Sequence, residues 1–177
     1  MPDAQIDELA RAYLTGAEGE GRSTDSGPLD GLFRDWQRIG NTPHGKALGE
    51  AIARRIGDAD AELRYRALQF LHAVPKSDLT RAVIPFIRGD RSSFKGVYLN
   101  GDDKDLEFWL LWVMAKLIGT DGEARDLARK EALDPNGQPA PIAAELAFVD
   151  GDWVRQHRDD IIRLHPDTKD GIDNNLK

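Results

Sequence analysis

Cysteine is absent from this 177-residue chain, which excludes disulfides, thiolate zinc sites and thiol nucleophiles together. That absence fits a reducing compartment without demonstrating one. Long hydrophobic runs are missing as well. The longest apolar stretch, Leu106 to Ile118, covers 13 residues and is interrupted by Glu107 and Lys116. A membrane-spanning helix needs about 20 apolar residues, so this stretch reads as a buried core helix and no membrane contact is expected. The start, Met-Pro-Asp-Ala-Gln, lacks the basic segment and apolar run of a secretory signal. The cytoplasm is the expected compartment.

What is present is charge, unevenly spread. The net value is −7. Counting Lys and Arg against Asp and Glu gives −2 over residues 1–57, +2 over 58–99 and −7 over 100–177. An acidic carboxy-terminal half repels phosphates, so nucleic acid is not an expected partner, whereas a basic protein is. Acids that merely keep a surface hydrated would give the same balance.

Nearly every segment repeats its apolar residues at period 3.6, and no segment alternates as a strand does. Helices are predicted over about 3–15, 28–39, 43–56, 60–74, 78–88, 105–118, 121–133, 141–149 and 152–164. Residues 16–27 (GAEGEGRSTDSG) are too glycine-rich and polar to pack and read as a loop. Gly40 is expected to end the second helix, and Thr42 to cap the third with Pro43 in its first turn. Pro85 falls inside the 78–88 helix and is expected to kink it. Thr120 and Glu123 have capping-box spacing. Residues 1–165 are expected to form a single helical domain, and 166–177 a polar tail.

The stretch from Asp58 to Leu71 (DADAELRYRALQFL) sets two acids ahead of an apolar residue and an arginine, then small and large apolar residues at helical spacing. Asp58, Asp60, Leu63, Arg64, Ala67 and Leu71 carry a resemblance to the opening helix of a HEAT-type repeat, confined to residues 58–74. Candidate units begin near 28, 60, 105 and 141, at separations of 32, 45 and 36, against the ~40–47 of HEAT and armadillo repeats. The resemblance implies an all-α fold: a short, irregular α-α superhelix of about eight helices in stacked antiparallel pairs. A compact helical bundle is the alternative. In HEAT-like proteins such stacks make surfaces for protein contacts.

Signals for chemistry are weak. Gly40-Asn-Thr-Pro-His-Gly45-Lys46-Ala47 has the glycine-lysine spacing of a phosphate-cradling loop. Ala47 replaces the hydroxyl that would hold magnesium, and the loop follows a helix rather than a strand. A helix end, a cap and a helix start explain it. The acids of 167–173 fail the calcium-loop spacing. His44, His72, His157 and His165 show no metal-binding spacing, and no serine-nucleophile elbow is present. Most carboxylates fall at helix starts (Asp60, Asp78, Asp105, Asp121, Asp152), where capping accounts for them. No catalytic residue, cofactor or metal site is expected.

The connection over 89–104 is about sixteen residues long, where helix–helix connections take ~2–8. It carries Arg91, Phe94, Lys95 and Tyr98, then Asp102 and Asp103, with Asp105 at the start of the next helix. Aromatic and arginine residues anchor interfaces, so these seven are the candidate partner-binding residues. Alternatively, Phe94, Val97 and Leu99 tuck back over the apolar helix. The expected function is a non-enzymatic protein-binding module. Size, acidity and architecture resemble bacterial immunity proteins, which cover a toxin's active cleft; Asp102, Asp103 and Asp105 would then stand in for its anionic substrate. A scaffolding subunit, or an enzyme on a HEAT-like frame with His157 among carboxylates, are the rivals.

Overall fold

The structure, a computed structural model, describes residues 3–16, 27–75 and 78–176. Among these every regular element is helical and no strand occurs. The helices are α1 (Asp3–Leu14), α2 (Asp30–Ile39), α3 (Pro43–Arg54), α4 (Ala61–Ala73), α5 (Ile84–Arg88), α6 (Leu106–Ala115), α7 (Gly122–Leu133), α8 (Ala143–Val149), α9 (Gly151–Leu164) and α10 (Lys169–Asp173). The expected all-α class holds. They gather into two compact units, Met1–Val74 and Pro75–Lys177. The glycine-rich loop expected over 16–27 lies, apart from its ends, outside the described residues.

In the first unit α1 packs on α3 and α4, and α2 on α1 and α3. Leu14, Leu32, Leu48, Ile52, Ile56, Leu63 and Phe70 are fully buried. Trp36 meets Phe70 edge-on at 5.0 Å, and the Tyr13 hydroxyl donates to buried Asp35 at 2.6 Å. The two acids of the 58–71 stretch act locally. Asp60 caps α4 by accepting from the Glu62 amide (2.9 Å). Asp58 accepts from the Asp60 amide (2.8 Å) and from Arg55 (3.0 Å). The hydrogen bond from the Asp60 amide, aided by Arg55, lowers the Asp58 pKa. Arg64 is buried and donates from Nε to the Ile56 carbonyl.

The glycine-lysine segment is a helix junction. Thr42 caps α3 by accepting from the Gly45 amide at 3.0 Å, with Pro43 in the first turn. Gly45 is buried because α3 starts against the end of α2; a Cβ there would fall on the Ile39 carbonyl. Gly40 has φ −54, so it is needed for space rather than for a left-handed turn: a Cβ would press on the carbonyl and ring of Trp36.

In the second unit, Asp78–Val83 is a 3-10 turn and α5 starts only at Ile84. Pro85 thus stands in the first turn of a shorter helix, where no backbone donor is lost, rather than inside one helix over 78–88. The cap of α7 is Asp121 rather than Thr120: its carboxylate accepts from the Ala124 amide at 3.0 Å and pairs with Arg81. Glu123 is drawn into ion pairs with Arg88 (2.6 Å) and Arg81 (3.5 Å) instead of closing a capping box. Leu106, Leu110, Leu111, Val113 and Met114 of α6 are buried, and α7 meets the core with Ala124, Ala128 and Ala132.

Residues 166–176, expected as a polar tail, fold back. A 3-10 turn over Pro166–Thr168 leads into α10, which packs on α8 and buries Ile172. Arg158 grips Asp173 with two hydrogen bonds (2.7 and 2.8 Å) and Lys169 adds a third contact at 2.8 Å. Those bonds push the Asp173 pKa far below the usual carboxylate range. His165 reaches the Asp134 carbonyl with Nε2 at 2.8 Å.

Candidate functional site

The connection from α5 to α6 is short of regular structure but dense in specific contacts. Asp90 accepts from the Ser92 amide (2.8 Å), and the Arg91 carbonyl accepts from the amides of Phe94 (2.9 Å) and Lys95 (3.1 Å). This tight turn drives Phe94 inward, to 3% exposure and an edge-on contact with Phe86 at 5.8 Å. Gly96 then takes φ +74, a region that favours glycine, and donates its amide to Asp105 at 2.9 Å. The Val97 carbonyl accepts from Leu106 at 2.9 Å. Asn100 and Gly101 are also left-handed, and turn the chain back toward α6.

The acids at the far end hold that return. Asp102 accepts from the Lys104 amide and from the indole of Trp109, both at 2.9 Å. Asp105 is 5% exposed and caps α6 by accepting from the Phe108 amide (2.8 Å) while its other oxygen takes Gly96. The seven candidate residues therefore divide. Phe94, Asp102 and Asp105 shape the connection, and Arg91 turns into the protein. Lys95, Tyr98 and Asp103 face outward. Tyr98 is 59% exposed, and the Asp103 side chain 89%. Asp103 pairs with Lys104 at 3.2 Å, and Lys95 Nζ reaches the Asn136 carbonyl at 3.4 Å.

Arg91 leads to two residues that sequence reasoning missed. Its Nη2 donates to Glu131 of α7 at 2.7 Å, and its Nε lies 3.8 Å from Glu107 of α6. Both carboxylates are buried, and the Gln138 amide donates to the other Glu131 oxygen at 2.7 Å. Burial raises the Glu107 pKa; Glu131 and Asp105 push the same way, while Arg91 and Lys95 oppose it. Burial works against the Arg91 charge, but the Glu131 hydrogen bond and the nearby carboxylates outweigh it and raise its pKa. A signal existed in the sequence. Glu107 is the one acid in the apolar run, and Glu131 shares the helix face of Ala124 and Ala128.

The contacts of His157 are with its own helix. His157 stacks on Trp153 (4.3 Å) and bonds its own helix through Nδ1 at the Trp153 carbonyl (2.8 Å). Trp153 also lies under Arg129, which Asp150 holds at 2.6 Å. Among the described residues no cluster of three or more His, Asp or Glu has the arrangement of a metal site, and no helix is long and apolar enough to cross a membrane. Comparison with family models, with curated proteins and with solved structures finds no match to this chain.

Proposed function

We propose that the chain is a non-enzymatic protein-binding module whose contact surface is the 89–105 connection. The observation that carries this is Tyr98: a large aromatic side chain, 59% exposed, on a connection whose underside is pinned by Phe94, Asp102, Asp105 and Arg91. A connection held in place by internal contacts before binding loses less conformational entropy on association. Tyrosine anchors interfaces because it combines large area with few rotors and a polar tip. Lys95 and Asp103 flank it and supply orientation through charge.

A basic protein partner suits the net charge of −7. In the immunity form of this reading the module covers the active cleft of a basic toxin in the cytoplasm. Asp103 then serves as the anionic substitute, while Asp102 and Asp105 keep the connection in shape. No nucleic acid, membrane or cofactor enters this reading.

The test is co-purification followed by titration. The wild-type chain is expected to retain a basic protein in stoichiometric complex. Tyr98→Ala is expected to weaken that complex by about 2 kcal/mol, or roughly 30-fold, as interface anchors do, while the urea midpoint of the free chain stays within about 0.5 kcal/mol of wild type. Unchanged affinity in Tyr98→Ala would move the surface elsewhere on the molecule. Turnover of a small molecule by the isolated chain would overturn the reading itself.

A further inference from the structure

We infer that Arg91, Glu107 and Glu131 form a proton-operated latch on the 89–105 connection: taking up a proton on Glu107 tightens it, and releasing that proton loosens it. The latch regulates the surface proposed above and in that sense rests on that reading, though its own test needs no partner.

The geometry decides which group takes the proton. One guanidinium faces two carboxylates, whose side chains are 5% and 6% exposed. The cluster therefore holds one negative charge more than it can neutralise in a poorly hydrated place. Glu131 has both oxygens engaged, by Arg91 and by the Gln138 amide. Glu107 has only Arg91 Nε at 3.8 Å, and among the described residues nothing donates it a hydrogen bond. Desolvation without hydrogen bonds to its charged form makes Glu107 the group that yields. The other charges facing the cluster divide by sign. Lys95 of the connection favours the Glu107 anion, Asp105 at the α6 cap opposes it, and Asp134 beyond α7 acts on Arg91.

The direction follows. The Glu107 pKa is raised in the fold, so the folded state holds the proton more tightly than the unfolded chain does. The stabilising contribution of the protonated form is complete below the ordinary carboxylate pKa and is lost as pH rises through the raised value. With Glu107 neutral, Arg91 is left to Glu131 alone and the repulsion between the two carboxylates vanishes. With Glu107 ionised, Arg91 attracts it, but the cost of burying its charge and the repulsion from Glu131 outweigh that attraction. Opening of the connection, which lets water reach Glu107, relieves both.

Amide hydrogen exchange on the free full-length chain tests this, since local opening sets the rate. The reporting amides are Phe94, Lys95 and Gly96, whose acceptors are the Arg91 carbonyl and Asp105. Glu107→Gln fixes the neutral form in nearly the same shape. The ratio of wild-type to Glu107→Gln exchange rates cancels the intrinsic pH dependence. It is expected to be near one at about pH 4.5 and to rise to on the order of fivefold by about pH 7.5, as the proton is lost from Glu107. Amides of α9 should keep a ratio near one throughout. Glu131→Gln is expected to act in the opposite sense and speed exchange at every pH, because it removes the anchored carboxylate. A flat ratio across that range, or faster exchange in Glu107→Gln, would overturn the latch. Neither result depends on whether Tyr98→Ala binds a partner, so failure of the latch and failure of the binding surface are separately visible.

Discussion

Arg91→Ala is expected to lower the stability of the chain by about 3 kcal/mol at pH 7, as removal of one member of a buried ion cluster does. The loss comes less from the missing attraction than from what remains. Glu107 and Glu131 would be buried against each other with no cation between them, and the Gln138 amide would serve only one of them. The lower end of the range applies because the Arg91 side chain is 18% exposed and water shares part of the work. Removing Arg91 also takes away the attraction that favours the Glu107 anion, whose pKa burial already raises, so the deficit should be full at pH 7 and shrink as pH falls and that carboxylate protonates. Urea unfolding of Arg91→Ala at pH 7.5 and pH 5.0 measures this. The triple replacement Arg91→Met, Glu107→Gln and Glu131→Gln is expected to recover most of the loss, since it removes the buried charges together. A single-mutant loss under about 1 kcal/mol would mean the cluster behaves as an exposed one.

Gly45→Ala is expected to cost about 3 kcal/mol or more, at the upper end of overpacking penalties. The added Cβ would land on the Ile39 carbonyl, which is backbone and cannot turn aside as a side chain can. Relief requires α2 and α3 to separate at the junction where Thr42 caps α3. Gly96→Ala is the comparison. Its Cβ would meet nothing within 4 Å, so only the left-handed backbone at φ +74 resists it, at about 1 kcal/mol. Urea midpoints for the two variants should differ accordingly. Equal costs would show that backbone conformation, rather than the close approach of two helices, governs both sites.

Much of the architecture is legible along the chain because helices announce themselves through local physics. Asp60, Thr42 and Asp105 cap the helices they precede, and each cap needs an amide only two or three residues ahead. The sequence misplaces boundaries where competing local arrangements differ little in energy. Asp121 outcompetes Thr120 as a cap and brings Arg81 with it. Pro85 prefers the first turn of a shorter helix to the interior of a longer one. The folded carboxy terminus is harder to foresee. Its sequence, Pro166-Asp-Thr-Lys-Asp-Gly-Ile-Asp, has one large apolar residue, and α10 forms because Ile172 finds a buried seat and Arg158 finds Asp173 fifteen residues away.

The candidate surface divides along the same line. Length and composition mark 89–104 as an unusual connection, and its aromatic and charged residues are plain in the sequence. Which of them point outward is decided by partners distant in the chain. Phe94 faces inward because Phe86 receives it, and Arg91 because Glu131 lies forty residues ahead on another helix. By itself, then, the sequence determined the helical class, the absence of thiol chemistry and the place of the long connection, since each follows from local spacing or composition. Tertiary structure alone decided that Asp102 and Asp105 are internal braces, that Tyr98 is left in solvent and that Glu107 shares a buried guanidinium. Those outcomes depend on which helices become neighbours, and no short-range rule carries that information.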